Sequence, residues 1–487
     1  MRARQEFGPR LFFAWTSPVL AFCTMKHGWL ICGVLAACGQ PEARTVTSVA
    51  APAESPRVVV PPAKSIILIT IDTLRADVLG YAGGAAVTPV LDDLARRGWA
   101  FDRCYANSML TNPSHASLMT SVYPRDHGVY DNESGIADGV RTLAASMQRQ
   151  GRRTTAIVNF PHLNPEVANL GQGFERVIPA ARIERRADDT VKLALSAIDE
   201  FDPGEEFFVW LHFSDPHAPY DPTAEHAPRP VTLAHPTPMA TAAQHAPSFQ
   251  KKNVWFKEVF KTVKTAEELQ ARYVAEVEGV DAALARLLAG LNQRQRAERT
   301  TLVVTSDHGE NFGEHQLYFN HGGLYQTAVH VPLIVAVPGA TPMRIAGQVE
   351  QVDVTPTLLE LVGAPRWEPM RGHSLVGLVA GREPPREFVF SEHMLGQLVA
   401  VRGHGGTLIL HRKTSAQFPS YRFVAGRREV YDTSSDPDEL HDVGPEGPLY
   451  DTLQAALNTY LEAGLNLVAR PSLLSDRESL KHLGYVE

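Results

Sequence analysis

A threonine at the start of a short helical segment is the strongest candidate for a nucleophile in this chain. Thr111 begins the run TNPSHASLMT, which ends at Thr120. Within it, Asn112 suits the helix N-cap and Pro113 suits the first helical position. The Thr111 hydroxyl would then face unpaired backbone N–H groups and the positive end of the helix dipole, which favour an anionic substrate. This pattern predicts displacement at a phosphate or sulfate ester.

Two acidic segments would supply metal ligands beside this hydroxyl. Asp72 ends the apolar, β-branched run of residues 66–71, and Asp307-His308-Gly309 follows the similar run of residues 302–305. Carboxylates and imidazoles are common ligands of divalent cations, and the glycine lets the backbone approach closely. The expected metal ligands are Asp72, Thr111, Asp307 and His308. Their metal would lower the pKa of the threonine hydroxyl and hold it in line with the leaving group.

Three further residues have more than one interpretation. Asp215, His217 and His321 would form a second metal site, in which two cations about 4 Å apart hold the attacking and leaving oxygens. Alternatively, His217 and His321 bind no metal and contact the oxygens of the substrate. Asp215 has a third interpretation, as a cap of the turn before Pro216.

Two more polar residues are candidates for substrate binding. His115 lies four residues after Thr111 and therefore on the same helix face, with a packed structural histidine as the alternative. Asn159 follows the strand-like run of residues 154–158 and would donate a hydrogen bond to the substrate.

An ordered set of short motifs resembles the sulfatase family within the alkaline phosphatase superfamily. The motifs are residues 69–77 (ITIDTLRAD), 111–120 (TNPSHASLMT), Tyr123-Pro124, His127-Gly128, Asp215-Pro216-His217, 306–310 (SDHGE), His321-Gly322, 353–359 (DVTPTLL), Tyr431-Asp432 and Asp436-Pro437. They keep the order of the family from about residue 66 to the C-terminus. The resemblance implies an alkaline phosphatase-like fold and a metal-dependent ester hydrolase.

The departures from the pattern of the family fall at the site itself. A typical sulfatase has a Cys or Ser, converted to formylglycine, where this chain has Thr111. It has Arg in place of His115, a second Asp in place of Thr73, often Asn in place of His308, and Lys in place of His321. His321 would then replace that lysine as a general acid. The substitutions resemble the threonine-nucleophile branches of the superfamily, such as nucleotide phosphodiesterases and phosphoethanolamine transferases.

Because threonine cannot become formylglycine, we expect a preference for phosphorus over sulfur. A formylglycine hydrate expels bound sulfate by collapsing to the carbonyl, whereas a threonine ester must be released by water that attacks the bound group. A second metal or a basic histidine activates such a water. We therefore expect a sulfatase-family hydrolase of sulfate or phosphate esters that favours phosphoesters, phosphodiesters or phosphonates and uses one or two Ca²⁺, Zn²⁺ or Mn²⁺ ions. The alternatives are a phospho-group transferase to an alcohol acceptor and a non-catalytic lipoprotein that binds glycans or anionic polymers.

Strand-like and helix-like segments alternate around these residues. Apolar runs at 66–71, 154–158, 207–213, 302–305 and 333–337 predict buried strands. A capping box of Thr265 and Glu268 begins a long amphipathic helix. The alternation predicts an α/β fold with a mostly parallel sheet flanked by helices, whose ligands lie beyond the carboxyl ends of the strands. Strand-like runs at 388–390, 406–410, 421–424 and 429–431 and a helix at 449–461 predict a smaller C-terminal α+β domain.

The N-terminus has the pattern of a lipoprotein signal. Residues 35–39 (LAACG) place small residues before Cys38, which would be lipidated after cleavage. We expect a signal peptide over residues 1–37 (with Met25 as an alternative start), a flexible tether over 38–62, a catalytic domain over 63–385 and a C-terminal subdomain and tail over 386–487. The protein would then be anchored in the bacterial cell envelope, at the outer membrane and facing the periplasm or the surface. A longer uncleaved anchor is the alternative.

The composition excludes some classes of partner. The 487 residues carry a formal net charge of -8 and only scattered basic residues, so we expect no nucleic-acid binding. After cleavage Cys104 would be the only thiol of the folded part, which excludes a disulfide framework. The expected partners are a small-molecule, glycan or lipid ester substrate and the membrane that holds the lipid anchor. The sequence does not determine the oligomeric state.

Overall fold

The computed structural model describes most of the chain between residues 58 and 471. The described residues are 58–180, 185–230, 236–245, 261–393, 396–414, 422–464 and 470–471. The predicted signal peptide, the lipidated Cys38 and most of the predicted tether lie outside these residues and stay predictions. None of the described helices is long and apolar enough to cross a membrane.

The described strands form one large sheet, one small sheet and two short antiparallel pairs. In chain order the described strands are β1 (Ser65–Ile71), β2 (Trp99–Tyr105), β3 (Ser134–Gly135), β4 (Arg153–Ile157), β5 (Arg176–Ile178), β6 (Phe207–Phe213), β7 (Thr300–Ser306), β8 (Asn311–Phe312), β9 (Tyr318–Asn320), β10 (His330–Ala336), β11 (Met343–Glu350), β12 (Val389–Glu392), β13 (Leu398–Gly403), β14 (Gly406–His411), β15 (Arg428–Asp432) and β16 (Arg470–Pro471). The large sheet has eight strands in the order β11-β2-β10-β7-β1-β6-β4-β5. Within it only β10 runs antiparallel to its neighbours. The two short antiparallel pairs are β3 with β16 and β8 with β9.

The large sheet is buried on both faces, which explains why its central strands are continuous apolar runs. Side chains alternate along β1 with a period of two residues. Ile66 and Leu68 belong to the hydrophobic cluster on one face, and Ile67 and Ile69 belong to the cluster on the other. Each cluster is covered by helices, so the sheet forms the middle of three layers.

The described α-helices connect the strands and cover the faces of the sheet. In chain order they are α1 (Pro89–Arg97), α2 (Thr111–Thr120), α3 (Pro124–His127), α4 (Leu143–Arg149), α5 (Pro165–Ala168), α6 (Ala187–Asp199), α7 (Met239–His245), α8 (Ala266–Gln293), α9 (Gln326–Val329), α10 (Val354–Leu361), α11 (Leu375–Val379) and α12 (Gly447–Glu462). At the start of α8, Thr265 Oγ1 accepts a hydrogen bond from Glu268 N, as the capping box predicts. The Glu268 carboxylate, however, accepts from Lys264 N rather than from Thr265 N.

The small antiparallel sheet, in the order β12-β13-β14-β15, is also buried on two faces. Val399 and Leu408 pack against Leu453 and Leu457 of α12. Ala400 and Ile409, on the other face, belong to the same cluster as the core of the large sheet. The described residues of the two sheets therefore form one compact unit.

The structure confirms the predicted fold class, an α/β fold with a mostly parallel sheet and a smaller C-terminal sheet and helix. All five predicted strands of the large sheet are present, but β2, β5 and β11 were not predicted. In the small sheet β13 was missed, and the described residues 422–424 of the predicted strand at 421–424 form no strand. The predicted domain boundary at residue 386 stays a prediction.

Candidate active site

The carboxyl ends of parallel strands bring the predicted metal ligands to one edge of the large sheet. Asp72 follows β1, and Asp307 and His308 follow β7, its parallel neighbour, in which Ser306 lies opposite Ile71. Thr111 begins α2 after the loop that follows β2. Its Oγ1 lies 3.4 Å from Asp72 Oδ2. Residues that are up to 236 positions apart in sequence thus share one site.

Helix α2 begins at Thr111 itself, one residue before the predicted N-cap. Every residue of the helix is buried. Asn112 is a helical residue, not a cap, and its Nδ2 donates to the carbonyl oxygens of Ser134 and His162 at 3.1 and 3.0 Å. Thr111 therefore lies in the first turn, but the expected unpaired N–H groups beside it are not found: Asn112 N donates to Asn132 Oδ1 at 2.9 Å, and Pro113 has no N–H. The Asn112 side chain ties the start of the helix to β3 and to the segment that follows β4.

Asp307 and His308 present two ligand-type atoms that the described residues do not satisfy. Asp307 Oδ1 accepts from the backbone N of His308 and of Thr73, at 2.8 and 3.3 Å. Its Oδ2 is buried and has no hydrogen-bond partner among the described residues. His308 Nδ1 lies 3.0 Å from Gly309 O, which places the ring proton on Nδ1 and a lone pair on Nε2. That Nε2 also lacks a described partner and lies 3.5 Å from Asp307 Oδ2.

The turn that carries these two residues is held tightly. A Cβ on Gly309 would lie 2.0 Å from Thr327 O, so only glycine fits there. Gln351 Nε2 donates to Ser306 O at 2.5 Å and to Asp307 O at 3.0 Å. Sequence reasoning missed Gln351, which positions the backbone of the metal-ligand pair from the start of the segment that leads into α10.

His212 is a site residue that sequence reasoning also missed. It lies in β6, is fully buried, and its Nε2 is 3.3 Å from Asp72 Oδ2. Burial lowers the pKa of the His212 imidazole well below its usual value, so the ring is neutral at pH 7. A histidine inside the otherwise apolar strand FFVWLHF was the available signal, because buried polar groups need a reason.

The structure places His115 as a packed histidine beneath Thr111. The side chain is fully buried, and its Nδ1 lies 2.8 Å from Thr111 O. Its Nε2 lies 3.0 Å from Thr70 Oγ1, which also accepts from Trp210 Nε1 at 3.0 Å. With both nitrogens engaged, His115 has no free donor for a substrate. This placement favours the structural alternative over the predicted substrate contact.

His217 and His321 lie together on the other side of His308. The His321 ring is 4.3 Å from the His308 ring and 6.4 Å from the His217 ring, measured between centroids. Burial lowers the pKa of His217 to about 4. Burial, followed by the nearby His308 and His217, also holds the pKa of His321 well below its usual value. Both rings are therefore neutral at pH 7, the form that accepts a proton or binds a metal.

Asp215 is not brought into this group. Its Oδ2 accepts from Ala187 N at 2.7 Å, and its Oδ1 lies 3.7 Å from Arg186 Nη1. The carboxylate therefore caps the first turn of α6 and pairs with an arginine, although burial raises its pKa. This is a correction of the predicted metal ligand, because both carboxylate oxygens have other partners.

The side-chain amide of Asn159 is also fully engaged by other groups of the protein. Its Nδ2 donates to His212 O at 2.6 Å and to Thr190 Oγ1 at 2.8 Å, and its Oδ1 accepts from Arg185 Nη1 at 2.9 Å. The amide holds the backbone of His212 and has no donor left for a substrate. The predicted substrate contact is therefore not supported, and Asn159 positions β6 instead.

The chemistry of the converging atoms fits a divalent cation. Among the described residues, two sets of three side chains bring ligand atoms within 4.8 Å of one another: Asp72, Asp307 and His308 in one, and His115, His212 and Asp307 in the other. Asp307 is common to both. Two carboxylates, imidazoles and a hydroxyl lie close together, and the buried Asp307 Oδ2 and His308 Nε2, which have no hydrogen-bond partner among the described residues, would each be satisfied by a bound metal.

Two families of sequences match this chain. The family described as Sulfatase matches residues 64–364, and the family described as N-sulphoglucosamine sulphohydrolase, C-terminal, matches residues 313–465. An arylsulfatase of Clostridium perfringens (strain 13 / Type A) is 24% identical in an alignment of length 441 that covers 77% of this chain and 89% of that protein. Arylsulfatase K of Homo sapiens is 22% identical in an alignment of length 438 that covers 79% of this chain and 80% of that protein.

Solved structures share the fold at similarly low identity. A phosphonate monoester hydrolase from Silicibacter pomeroyi superposes with a TM-score of 0.64 and 22% identity, over 82% of this chain and 95% of that one. A protein in complex with its substrate D-glucosamine-2-N,6-O-disulfate superposes with a TM-score of 0.66 and 20% identity, over 83% of this chain and 99% of that one. The Sulfatase match spans more than half of the chain and contains Asp72, Thr111 and Asp307. This chain therefore belongs to the sulfatase family and is an ester hydrolase of that family.

Proposed function

We propose that this sulfatase-family protein hydrolyses phosphoesters, phosphodiesters or phosphonates in preference to sulfate esters, with Thr111 as the nucleophile. The observation that carries the proposal is the position of the Thr111 hydroxyl. It lies in the first turn of a buried helix, 3.4 Å from Asp72 Oδ2 and beside the unpartnered atoms of Asp307 and His308. An unmodified hydroxyl in this position would form an ester that an external nucleophile must release, and in a hydrolase that nucleophile is water.

The site residues have distinct parts in such a reaction. Asp72, Thr111, Asp307 and His308 would hold a divalent metal, which when bound supplies Lewis-acid stabilisation of the hydroxyl and of the ester oxygens. The Thr111 oxygen attacks phosphorus and gives up its proton, a new O–P bond forms, the bond between phosphorus and the alcohol oxygen breaks, and the leaving oxygen takes up a proton to depart as the alcohol. The positive end of the α2 dipole would favour the negative charge that develops on the phosphoryl oxygens.

His217 and His321 suit the second half of the reaction. Water attacks phosphorus and the bond to Thr111 breaks, so the water must give up a proton. A neutral imidazole accepts a proton, and burial keeps both rings neutral at pH 7. We therefore propose these histidines as proton acceptors during hydrolysis, rather than as ligands of a second metal with Asp215.

The known proteins that share this fold support either ester chemistry. The Silicibacter pomeroyi protein is named for phosphonate monoesters, and another similar structure holds a sulfated glucosamine. The choice between them rests on Thr111, which cannot be converted to formylglycine. A glycan or lipid that carries a phosphoryl group is therefore the proposed natural substrate class.

Turnover of an aryl sulfate, an aryl phosphate diester and an aryl phosphonate tests the proposal. We expect the phosphorus substrates to be cleaved faster with Zn²⁺ or Mn²⁺, and Thr111→Ala to lower kcat by roughly 10³-fold or more. Thr111→Ser is the matched control, because it keeps a hydroxyl, and we expect it to retain part of the activity. Faster cleavage of the aryl sulfate would contradict the substrate preference. A loss of only a few-fold in Thr111→Ala would contradict the mechanism.

A further inference from the structure

A cavity beside α6 contains buried carboxylates that the proposed reaction does not use. It lies between the start of α6, the loop that follows β6 and the middle of α8, and its volume is about 100 Å³. Arg186, Asp215 and Glu276 line its wall. We propose that this cavity binds a primary ammonium group through the carboxylates of Asp215 and Glu276. The inference goes beyond the proposed function and does not depend on the nucleophile.

The Glu276 side chain supplies the observation that points to a ligand. It is only 5% exposed, and its Oε1 accepts a hydrogen bond from Asp221 N at 2.8 Å. Its Oε2 is buried and has no hydrogen-bond partner among the described residues. A buried carboxylate oxygen without a donor is unfavourable. A ligand that brings N–H groups into the cavity would therefore complete this carboxylate.

The Arg186 guanidinium does not complete it, because its short contacts go to a third carboxylate. Its Nη1 donates to Asp221 O, and its Nη2 donates to Asp221 Oδ2 at 2.8 Å. Its Nη1 lies 3.5 Å from Glu276 Oε1 and 3.7 Å from Asp215 Oδ1, longer than charged hydrogen bonds of about 2.7–2.9 Å. Three carboxylates thus share one guanidinium. Because a carboxylate oxygen accepts two hydrogen bonds, Asp215 keeps acceptor capacity beside its present contacts.

The other charged groups of the lining do not offset this negative charge. Arg286 Nε donates to Asp188 Oδ1 at 2.6 Å, so these two side chains neutralise each other. Glu225 is exposed and adds a further carboxylate to the lining. Burial, followed by the charge of Asp215, raises the pKa of Glu276 well above its usual value, as expected for a carboxylate that lacks a counter-charge.

The spacing of these carboxylates favours an ammonium group over a metal ion. Among the described residues, the sets of three ligand atoms within 4.8 Å of one another lie at the catalytic site, and none includes Asp215 or Glu276. An ammonium group has three N–H donors, and each N–H···O contact spans about 2.8 Å, so its acceptors lie further apart than metal ligands. A buried water needs about 10–15 Å³ of such space. A cavity of about 100 Å³ therefore also accommodates the CH₂ groups next to the nitrogen.

The cavity and the catalytic residues lie on either side of one loop. Asp215 and His217 both belong to the loop that follows β6. Asp215 Oδ2 accepts from Ala187 N at the start of α6, whereas the His217 ring lies 6.4 Å from the His321 ring. Two sources of the ammonium group share the same chemistry: an amine carried by the substrate and a free amine.

Binding of ethylammonium to the full chain tests the inference without any turnover. Saturation-transfer NMR measures its Kd, with ethanol and ethyltrimethylammonium as controls that lack the charge or the N–H donors. We expect a Kd in the millimolar range, weakened about 10-fold or more in Glu276→Gln, which keeps the size of the side chain. Glu278→Gln is the matched control, because Glu278 belongs to the same helix but pairs with Arg229 and does not line the cavity. We expect it to leave the Kd unchanged.

Asp215→Asn is the second variant, because the asparagine oxygen still accepts from Ala187 N and caps α6. We expect it to weaken the binding of ethylammonium as well. Absence of binding to the unmodified chain, or an equal Kd in Glu276→Gln, would overturn the inference. Equally tight binding of ethyltrimethylammonium would also overturn it, because that ion has no N–H donor.

Turnover separates the two sources of the amine. Two aryl phosphate diesters are compared, one whose alcohol carries a primary amine and one with a hydroxyl at the same position. If the substrate supplies the amine, the ratio of their kcat/KM values falls about 10-fold in Glu276→Gln. If a free amine binds, this ratio is unchanged while the Kd of ethylammonium still rises. Failure of all phosphorus substrates to turn over would overturn the proposed function and leave the ethylammonium measurement unaffected.

Discussion

Two buried sets of carboxylate and histidine side chains in this protein differ in their spacing. At the edge of the large sheet, Asp307 Oδ2 and His308 Nε2 are 3.5 Å apart, and neither has a hydrogen-bond partner among the described residues. In the small sheet, Glu429 Oε1 and His411 Nε2 are 2.5 Å apart. Glu429 Oε2 also accepts from the hydroxyls of Tyr325 and Tyr431, at 2.7 and 2.6 Å.

Residue type and burial do not separate these two sets, because all four acidic and imidazole side chains are at most 1% exposed. What separates them is whether the polar atoms satisfy each other. The set around Glu429 is a completed hydrogen-bond network that joins the small sheet to the core. The set around Asp307 leaves two buried polar atoms without a hydrogen-bond partner among the described residues, which a divalent metal would satisfy. A buried carboxylate and histidine therefore indicate a metal site only when their spacing leaves room for the ion.

Removal of metal should have the largest effect on stability, and it should act through the site at the sheet edge. At a free metal concentration about a thousand times Kd, binding to the folded chain alone stabilises it by about 4 kcal/mol. We expect an excess of chelator to lower the free energy of unfolding by about that amount, measured by urea unfolding. The chelator should have no effect on Asp307→Ala. An equal effect on both proteins would show that the metal binds elsewhere.

Glu429→Gln should have the next largest effect, and it should not depend on metal. Glutamine replaces one carboxylate oxygen with an NH₂ group, which cannot accept a hydrogen bond. Either His411 or the two tyrosine hydroxyls then lose their acceptor. A buried donor is then left unpaired, and we expect the free energy of unfolding to fall by about 2–4 kcal/mol. Metal content by elemental analysis should stay the same. Loss of bound metal in Glu429→Gln would break the comparison between the two sets.

Of the changes compared here, replacement of His308 by leucine should have the smallest effect on the free energy of unfolding, and the same replacement of His411 in the small sheet is its matched partner. In the presence of chelator we expect His308→Leu to lower the free energy of unfolding by about 1 kcal/mol, because His308 Nε2 has no described partner and only the Nδ1 hydrogen bond to Gly309 O is lost. His411→Leu should lower it by about 2–3 kcal/mol, because it removes the donor to Glu429. Equal losses in the two variants, measured by urea unfolding, would show that the sheet-edge set is already satisfied without metal.

Much of the large sheet was predictable because its central strands are buried on both faces. A strand such as β6 is then a continuous apolar run, which sequence alone reveals. The missed strands lack that signal. Trp99–Tyr105 contains Asp102 and Arg103, and Met343–Glu350 mixes polar and apolar residues because it lies at the edge of the sheet.

The candidate site was predicted in part, and the misses have one physical cause. Asp72, Thr111, Asp307 and His308 converge as the motifs and the strand ends predict. Asp215 and Asn159 lie near the same strand ends, but their polar atoms are engaged by Ala187 and Arg186 in one case and by His212 and Thr190 in the other. Position at a strand end does not determine which way a side chain points or with which neighbouring group it forms a hydrogen bond.

The sequence by itself determined the fold class, the family and the residue type at position 111. Local apolar runs and ordered motifs are properties of the chain, and a threonine at position 111 excludes formylglycine in any fold. The tertiary structure alone decided which polar groups are satisfied and which remain available to a metal. His212 joins Asp72 only through the parallel pairing of β1 and β6, and Glu429 is satisfied only because Tyr325 packs against the small sheet. The residues in these two contacts are 104 and 140 positions apart in the sequence, so the contacts form only when the chain folds.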